Sequence, residues 1–433
     1  MIARLLALLG LMVCAASPAW PQASAPGIPA ETIVIHAGRV IADPARPASG
    51  PSTITIVDGR IQSVTEGLTP PPAGARLIDL STRTVLPGLI DAHVHLSSNP
   101  SGEFWREAVD PDEWGVVIGV ENALTTVRAG FTTVRDVGSA PQVGFVLRRG
   151  VAEGRIVGPR ILSSGPALSI IGGHGDVSGF RPEVVEALSA HNTCTGAQEC
   201  AARVREASRA GADLIKFTAT GGVLSQQGRG LEAHFTDDEM RAIVTTAHAL
   251  GLRVAAHAHG ARGIEAAARA GVDSIEHGTF ADAAAIQAMR RSNSVLVPTL
   301  MAFTGVREGL DRNRFTPVVA AKAREALAHL GEAVRAARAA GVPVVFGTDA
   351  GVFEHGRNAG EFALLIQYGG LTPAEAIASA TTVAARLLGL ENEIGRIAPG
   401  YSADLIAVSG DPLGDVRLLE HVDFVMVRGR PVE

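Results

Sequence analysis

The chain is short of lysine. Only Lys216 and Lys322 are lysines among its 38 basic residues, and the others are arginines. Against 44 acidic residues this leaves a formal net charge of -6, so the basic stripe of a nucleic-acid binder is missing. No Gly-rich dinucleotide fingerprint follows any apolar run, and the 49 glycines and 24 prolines form no low-complexity repeat. What is present is a 433-residue chain with 46% hydrophobic and 19% charged residues. That composition supplies a sizeable core and excludes general disorder. The length fits one large barrel with a smaller partner domain. One of the two lysines sits inside an apolar segment, Asp213-Leu214-Ile215-Lys216-Phe217, where composition does not explain it.

The N-terminus reads as an address. Arg4 precedes an apolar run of 12 residues, Leu5 to Ala16, followed by small residues and prolines. Residues 1–25 are therefore expected to be a secretory signal, too short for a membrane span and cut somewhere between Ala19 and Ala25. A lipid anchor on Cys14 is disfavoured because Val13 stands where such signals want a small residue. The expected location is periplasmic or secreted. In an oxidising compartment Cys194 and Cys200 can form a structural disulfide closing a short loop; two unpaired thiols are the alternative.

Residues 26–83 and 390–433 are β-rich. Thr32–Ile35, Ser52–Val57 and Ile61–Val64 read as strands, with an Asp58-Gly59 hairpin signal between the last two. Asp404–Val408 and Val422–Val427 match them at the far end. One small β-sandwich built from both termini is expected. Residues 84–389 alternate strands with helical patterns. Candidate strands are Val85–Ile90, Thr132–Asp136, Arg160–Ser163, Leu214–Thr218, Arg253–His257, Ser274–His277, Val295–Pro298 and Val344–Thr348. Helical patterns include Trp114–Ala129 and Pro317–Ala340, and Thr236-Asp237-Asp238-Glu239 is a capping box. Eight such alternations predict an α/β fold, a (β/α)8 TIM barrel; an open doubly wound sheet is the alternative.

Metal-binding side chains recur where these strands end, which is where such barrels place active sites. The first strand runs into Asp91-Ala92-His93-Val94-His95, and residues i and i+2 of an extended segment share a face, so both imidazoles can address one ion. Lys216 lies on the fourth strand, His257-Ala258-His259 follows the fifth, Glu276-His277 ends the sixth, and Thr348-Asp349 ends the eighth. A lone histidine at a strand end is more often a hydrogen-bonded core residue. Four histidines, a lysine and an aspartate distributed in this order are a different matter.

With these motifs the chain resembles the metal-dependent amidohydrolase superfamily. The resemblance covers everything after the signal, including Pro87–His95 and Gly395–Leu405. Gly172-Gly173-His174-Gly175-Asp176, Gly211–Lys216, Thr220–Val223 and Val254–Gly260 are similar to the branch of Xaa-Pro and Xaa-Arg/Lys dipeptidases and ochratoxin-hydrolysing amidohydrolases. The resemblance implies that His93, His95 and Asp349 hold one divalent metal and that His257 and His277 hold a second. Lys216, carboxylated, would bridge the two. Zinc suits this donor set best. A metal-bridging hydroxide would attack the amide, with Asp349 as general base and then acid, and His174 helping to polarise the carbonyl. His259 is expected to line the pocket. Arg229 and Arg357 are candidates for binding a substrate carboxylate, and the loop from Thr299 to Thr316 is a candidate pocket wall. His36, His191, His234, His248, His329 and His421 are given no catalytic role, and His355 is undecided. Lys322, on a predicted helix, asks for no special explanation. The implied activity is hydrolysis of an amide next to a C-terminal carboxylate in dipeptides or N-acyl amino acids, with ochratoxin A accommodated by the same chemistry. Alternatives are a cyclic-amide or imidazolonepropionase-like hydrolase and a metal-binding protein without turnover. The expected partners are a small-molecule substrate and further copies of the same chain.

Overall fold

The structure is a computed structural model that describes residues 32–100, 103–226 and 230–433. The expected signal lies outside the described residues. Both termini contribute to one seven-stranded sheet. Its strands are β1 (Thr32–Val40), β2 (Ser52–Val57), β3 (Arg60–Glu66), β4 (Arg76–Pro87), β12 (Leu405–Val408), β13 (Phe424–Val427) and β14 (Arg430–Pro431), in the order β14-β13-β12-β4-β1-β2-β3. Alternate residues Ile33, Ile35 and Ala37 of β1 join Ile54, Ile56, Leu405, Ala407 and Met426 in one apolar cluster, the period-2 pattern of a sheet with one buried face. The hairpin falls where Asp58-Gly59 predicts it, with φ of +49° and +74° at the two turn residues.

The barrel strands are β5 (Leu89–Val94), β6 (Phe131–Asp136), β7 (Arg160–Ser163), β8 (Leu214–Thr218), β9 (Arg253–Ala258), β10 (Ser274–His277) and β11 (Val295–Val297). They form two parallel groups, β5-β6-β7 and β8-β9-β10-β11. Two irregular segments close the ring. Leu168 bridges to Phe217, with the Leu168 N–H on the Lys216 carbonyl at 2.8 Å. The eighth stave, residues 343–350, lies between β11 and β5: Val345 N–H donates to Leu296 O at 2.8 Å and Ala92 N–H to Phe346 O at 3.0 Å. It is not a regular strand, because Pro343 lacks a donor and Asp349 adopts φ +63°.

Two boundaries differ from expectation. The predicted strand Val85–Ile90 is divided at Gly88. Its first part stays in the small domain, with Pro87 opposite Leu405, and the barrel begins at Leu89. Gly88 is thus the residue at which the sheet strand gives way to the barrel strand. A Cβ at Gly88 would lie 2.1 Å from Thr132 Oγ1, so glycine permits the close passage. The long helix predicted over Pro317–Ala340 is two helices, Pro317–Leu327 and Glu332–Ala340, separated where Gly331 takes φ +78°. The capping box is present: Thr236 Oγ1 accepts from the Glu239 N–H at 3.3 Å, and Glu239 Oε2 accepts from the Thr236 N–H at 2.8 Å. Cys194 and Cys200 form a disulfide. Among the described residues no helix is long and apolar enough to cross a membrane.

Candidate metal centre and active site

The strand-end residues converge. The His93 and His95 Nε2 atoms lie 3.4 and 3.2 Å from Asp349 Oδ1. Their Nδ1 atoms are occupied elsewhere, by Glu276 Oε2 at 2.8 Å and by the Gly138 carbonyl at 2.9 Å. This fixes each ring and leaves Nε2 for an ion, the usual way in which neighbouring groups orient metal-binding imidazoles. Glu276 also accepts from the Arg135 guanidinium at 2.8 Å, and Arg135 donates to the Ala92 carbonyl and to Ser274. Both charges are buried, at 0% and 3% exposure, so the pair meets the requirement that interior ions be partnered. Asp91 ties the first and eighth staves together, accepting from the Thr348 hydroxyl at 2.6 Å and the Asn358 amide at 2.8 Å.

The second group gathers His257, His277 and His259. The ring centroids of His257 and His277 are 4.6 Å apart, and those of His259 and His277 are 4.9 Å apart. Thr299 and Thr279 hydroxyls hold the Nδ1 atoms of His277 and His259, each at 2.8 Å. His257 Nε2 faces the Gly221 carbonyl at 3.3 Å, which leaves its Nδ1 for an ion. Burial holds His257 and His277 well below the ordinary imidazole range and brings His259 down to about 4. All three are therefore neutral, the form that donates a lone pair. Ligand atoms of His257, His259 and His277 lie within 4.8 Å of one another, as do those of His93, His277 and Asp349. His259, expected only to line the pocket, is thus within ligand distance. His277 and Asp349 both adopt left-handed backbone, φ +67° and +63°. Such a conformation costs about 1–3 kcal/mol per residue and clusters at functional sites.

Lys216 is 4% exposed. Burial pushes its ammonium down to about 8, against the attraction of Glu276 and Asp349. His174 stands over His257 with centroids 4.3 Å apart. Its Nδ1 is buried without a hydrogen-bond partner, and burial brings the ring down to about 3. A Cβ on Gly222 would lie 2.2 Å from its Cε1, so the ring occupies space that only glycine leaves open.

The model matched over residues 84–432 is that of the Amidohydrolase family. The chain belongs to the amidohydrolase family. Ochratoxinase of Aspergillus niger is 30% identical over 420 residues, covering 90% of this chain and 84% of that protein. A Xaa-Pro dipeptidase crystallised with methionine in its active site superposes with a TM-score of 0.85 at 36% identity, covering 93% of this chain and 99% of that one. A prolidase complexed with N-methylphosphonate-L-proline gives 0.84 at 32% identity, with coverages of 93% and 99%. These similarities put this amidohydrolase in the prolidase-like branch and make it an amide-hydrolysing enzyme acting on a small molecule. They support the TIM barrel with a small sheet domain over the open sheet, and they set aside a metal-binding protein without turnover.

Not every expected residue reaches the site. Arg357 pairs with Glu308 at 2.7 Å and with Glu354 at 2.7 Å. Its charge straps the helix Leu300–Asp311, which occupies most of the segment expected to be a loop, to the segment after the eighth stave, so two carboxylates already face the guanidinium. Arg229 lies outside the described residues. His36, His248 and His329 bond to Thr69, Asp273 and Glu332 and not to the strand-end cluster. His355 braces the site from behind, its Nε2 on the His95 carbonyl at 3.2 Å. Sequence reasoning missed the Glu276–Arg135 pair, although an arginine inside the predicted barrel strand Thr132–Asp136 was a signal. It also passed over Lys322. That ammonium is 6% exposed and donates to the Gly222 and Ser225 carbonyls, both at 2.7 Å, pinning the loop that faces His174.

Proposed function

We propose that this amidohydrolase holds two divalent cations, with zinc the metal best suited to its donors, and cleaves the amide bond preceding a C-terminal carboxylate. Dipeptides and N-acyl amino acids are the substrate class, and ochratoxin A fits the same description. The observation that carries this reading is the placement of Asp349, with Oδ1 facing two imidazoles and a neutral, unpartnered His174 near the second histidine group. His93, His95 and Asp349 would hold one cation and His257 and His277 the other. Lys216 would bridge them after its neutral amine adds to carbon dioxide, releasing a proton and leaving an anionic carbamate. Burial favours the amine this requires. When bound, the cations supply a water acidic enough to ionise near neutral pH and a Lewis-acidic partner for the carbonyl. Asp349 accepts the water proton and returns it to the leaving nitrogen. His174 donates an N–H to the oxygen on which negative charge develops.

Ochratoxinase, prolidase and Xaa-Pro dipeptidase among the similar proteins support the substrate class. The N-terminal leader and the disulfide support a periplasmic or secreted location. A homo-oligomer belongs to the same reading, supported by the exposed Trp105, Trp114 and Val117. The test is a panel of Xaa-Pro and Xaa-Lys dipeptides, N-acyl amino acids, ochratoxin A and cyclic amides, assayed before chelation, after it, and after adding zinc. Release of a C-terminal amino acid that is lost on chelation and restored by zinc is expected. Turnover confined to cyclic amides, or resistant to complete metal removal, would overturn the proposal.

A further inference from the structure

His174 differs from the other histidines of the site in having no strand beneath it. It sits in a turn with Gly172, Gly173 and Gly175 as neighbours, and glycines give up the most backbone freedom on ordering. With Nδ1 unpartnered, the ring is placed by its packing on His257 and Gly222 and by what holds that turn. The Asn192 side-chain amide does so directly, donating to the Gly175 carbonyl at 2.8 Å and also to the Ala167 carbonyl. Ser169 Oγ accepts from the Gly175 N–H at 3.2 Å. Asn192 is 8% exposed, and its segment is fastened in turn. Ser169 N–H donates to Asn192 O at 3.1 Å, and Cys194 N–H donates to Ser169 O at 3.0 Å. Cys194 is then joined to Cys200 in the first turn of the helix Ala197–Ala210, both sulfurs being in buried residues. A bridge across six positions closes too short a loop to restrain the unfolded chain as a long one does. Its location is the more informative property.

We propose that Asn192, held in place by the Cys194–Cys200 disulfide, is a positioning residue for His174, so that this disulfide sets the rate of amide cleavage without touching a metal ligand. The inference rests on the reading that His174 contacts the reacting carbonyl. Where a dithiol reductant exchanges with the bridge, becoming a disulfide itself and leaving Cys194 and Cys200 as thiols, the clamp loosens, and the enzyme keeps its metals but turns over slowly.

The test compares Asn192→Ala, the double variant Cys194→Ser/Cys200→Ser, His174→Ala, and Asn192→Ala combined with His174→Ala. The substrate is the linear amide that the panel shows to be cleaved fastest. Asn192→Ala and the double serine variant should each lower kcat by about 10- to 100-fold, the scale of a misplaced reacting group, with KM and bound metal unchanged. Amide hydrogen exchange in a peptide spanning residues 168–178 should quicken by about tenfold while peptides containing His93 and His277 stay protected. In the His174→Ala background, Asn192→Ala should change kcat by less than about twofold, because both substitutions remove one interaction. Additive losses, or loss of metal in step with activity, overturn the inference and leave the proposed function standing. Full turnover by His174→Ala overturns both the role given to His174 and this inference. If the double serine variant does not accumulate, Asn192→Ala and its combination with His174→Ala decide the matter alone.

Discussion

The two halves of the site are held by different physics. His93, His95 and Asp349 are fixed by ions and ladders. Glu276 and Arg135 form a buried charge pair across β10 and β6, and Asp91 ties the first stave to the eighth. His174, His257, His259 and His277 are oriented by hydroxyls, carbonyls and loops. Thr279 and Thr299 face two of the rings, Gly221 a third, and Lys322 and Asn192 pin the loops around the fourth. The first half is built into the barrel wall, so disturbing it costs stability and metal together. In the second, His257 and His277 stand on β9 and β10, whereas His174 is carried by a rim loop, where a displaced ring costs rate first.

The largest test of that contrast is Glu276→Gln. It leaves the Arg135 guanidinium buried opposite a neutral amide, which should destabilise the fold by about 3–5 kcal/mol. It should also weaken metal binding by about 10- to 100-fold through the freed His93 ring. Thermal unfolding and zinc competition with a chromophoric chelator measure the two effects. Unchanged stability would mean that the charge pair is not what holds this half. Gly222→Ala probes the rim. A methyl group 2.2 Å from the His174 ring must displace it, and kcat should fall about 100-fold while metal content and melting temperature hold. Loss of metal instead would erase the distinction between the halves. The smallest expected effect concerns His277, whose ligand atoms lie close to those of both halves. Glu361 accepts from the Leu300 and Met301 N–H groups at 2.9 and 2.6 Å, next to Thr299. Burial pushes its carboxyl up to about 8, above an unfolded value of about 4.3. The contribution of its protonated form is complete below that unfolded value and is lost as pH rises through about 8. Melting temperature should therefore fall between about pH 5 and pH 8, less steeply in Glu361→Gln. Equal slopes in the two proteins would show that Glu361 is already ionised.

The same contrast separates what the sequence disclosed from what it did not. Strand-end positions are legible because a strand has period two and barrel chemistry gathers at one rim; they single out His93, His95, Lys216, His257, His277 and Asp349 as candidates, and the fold brings His93, His95, His257, His277 and Asp349 together. The supports are remote in sequence. Glu276 meets His93 across 183 positions and Lys322 meets Gly222 across 100, and no local pattern encodes either contact. The partner of Arg357 is hidden for a related reason: a loop arginine looks the same in sequence whether or not Glu308 pairs with it. Lys322 was dismissed because a lysine on a helix is normally solvated, and only packing shows that its head is turned inward.

The irregular eighth stave has a bearing on engineering this enzyme. It is the seam at which the ring of strands meets itself, and there Asp349 departs from strand geometry while Gly347 is packed too closely to carry a side chain. A Cβ at Gly347 would strike Val297 at 2.3 Å, and Asp349 could relax its φ only by turning its carboxylate away from His93 and His95. Ordinary routes to a tougher protein, filling glycines and regularising backbone, are therefore closed at this seam. Variants selected for heat resistance should accumulate changes in the small domain and on the outer helices, and leave residues 347–349 untouched.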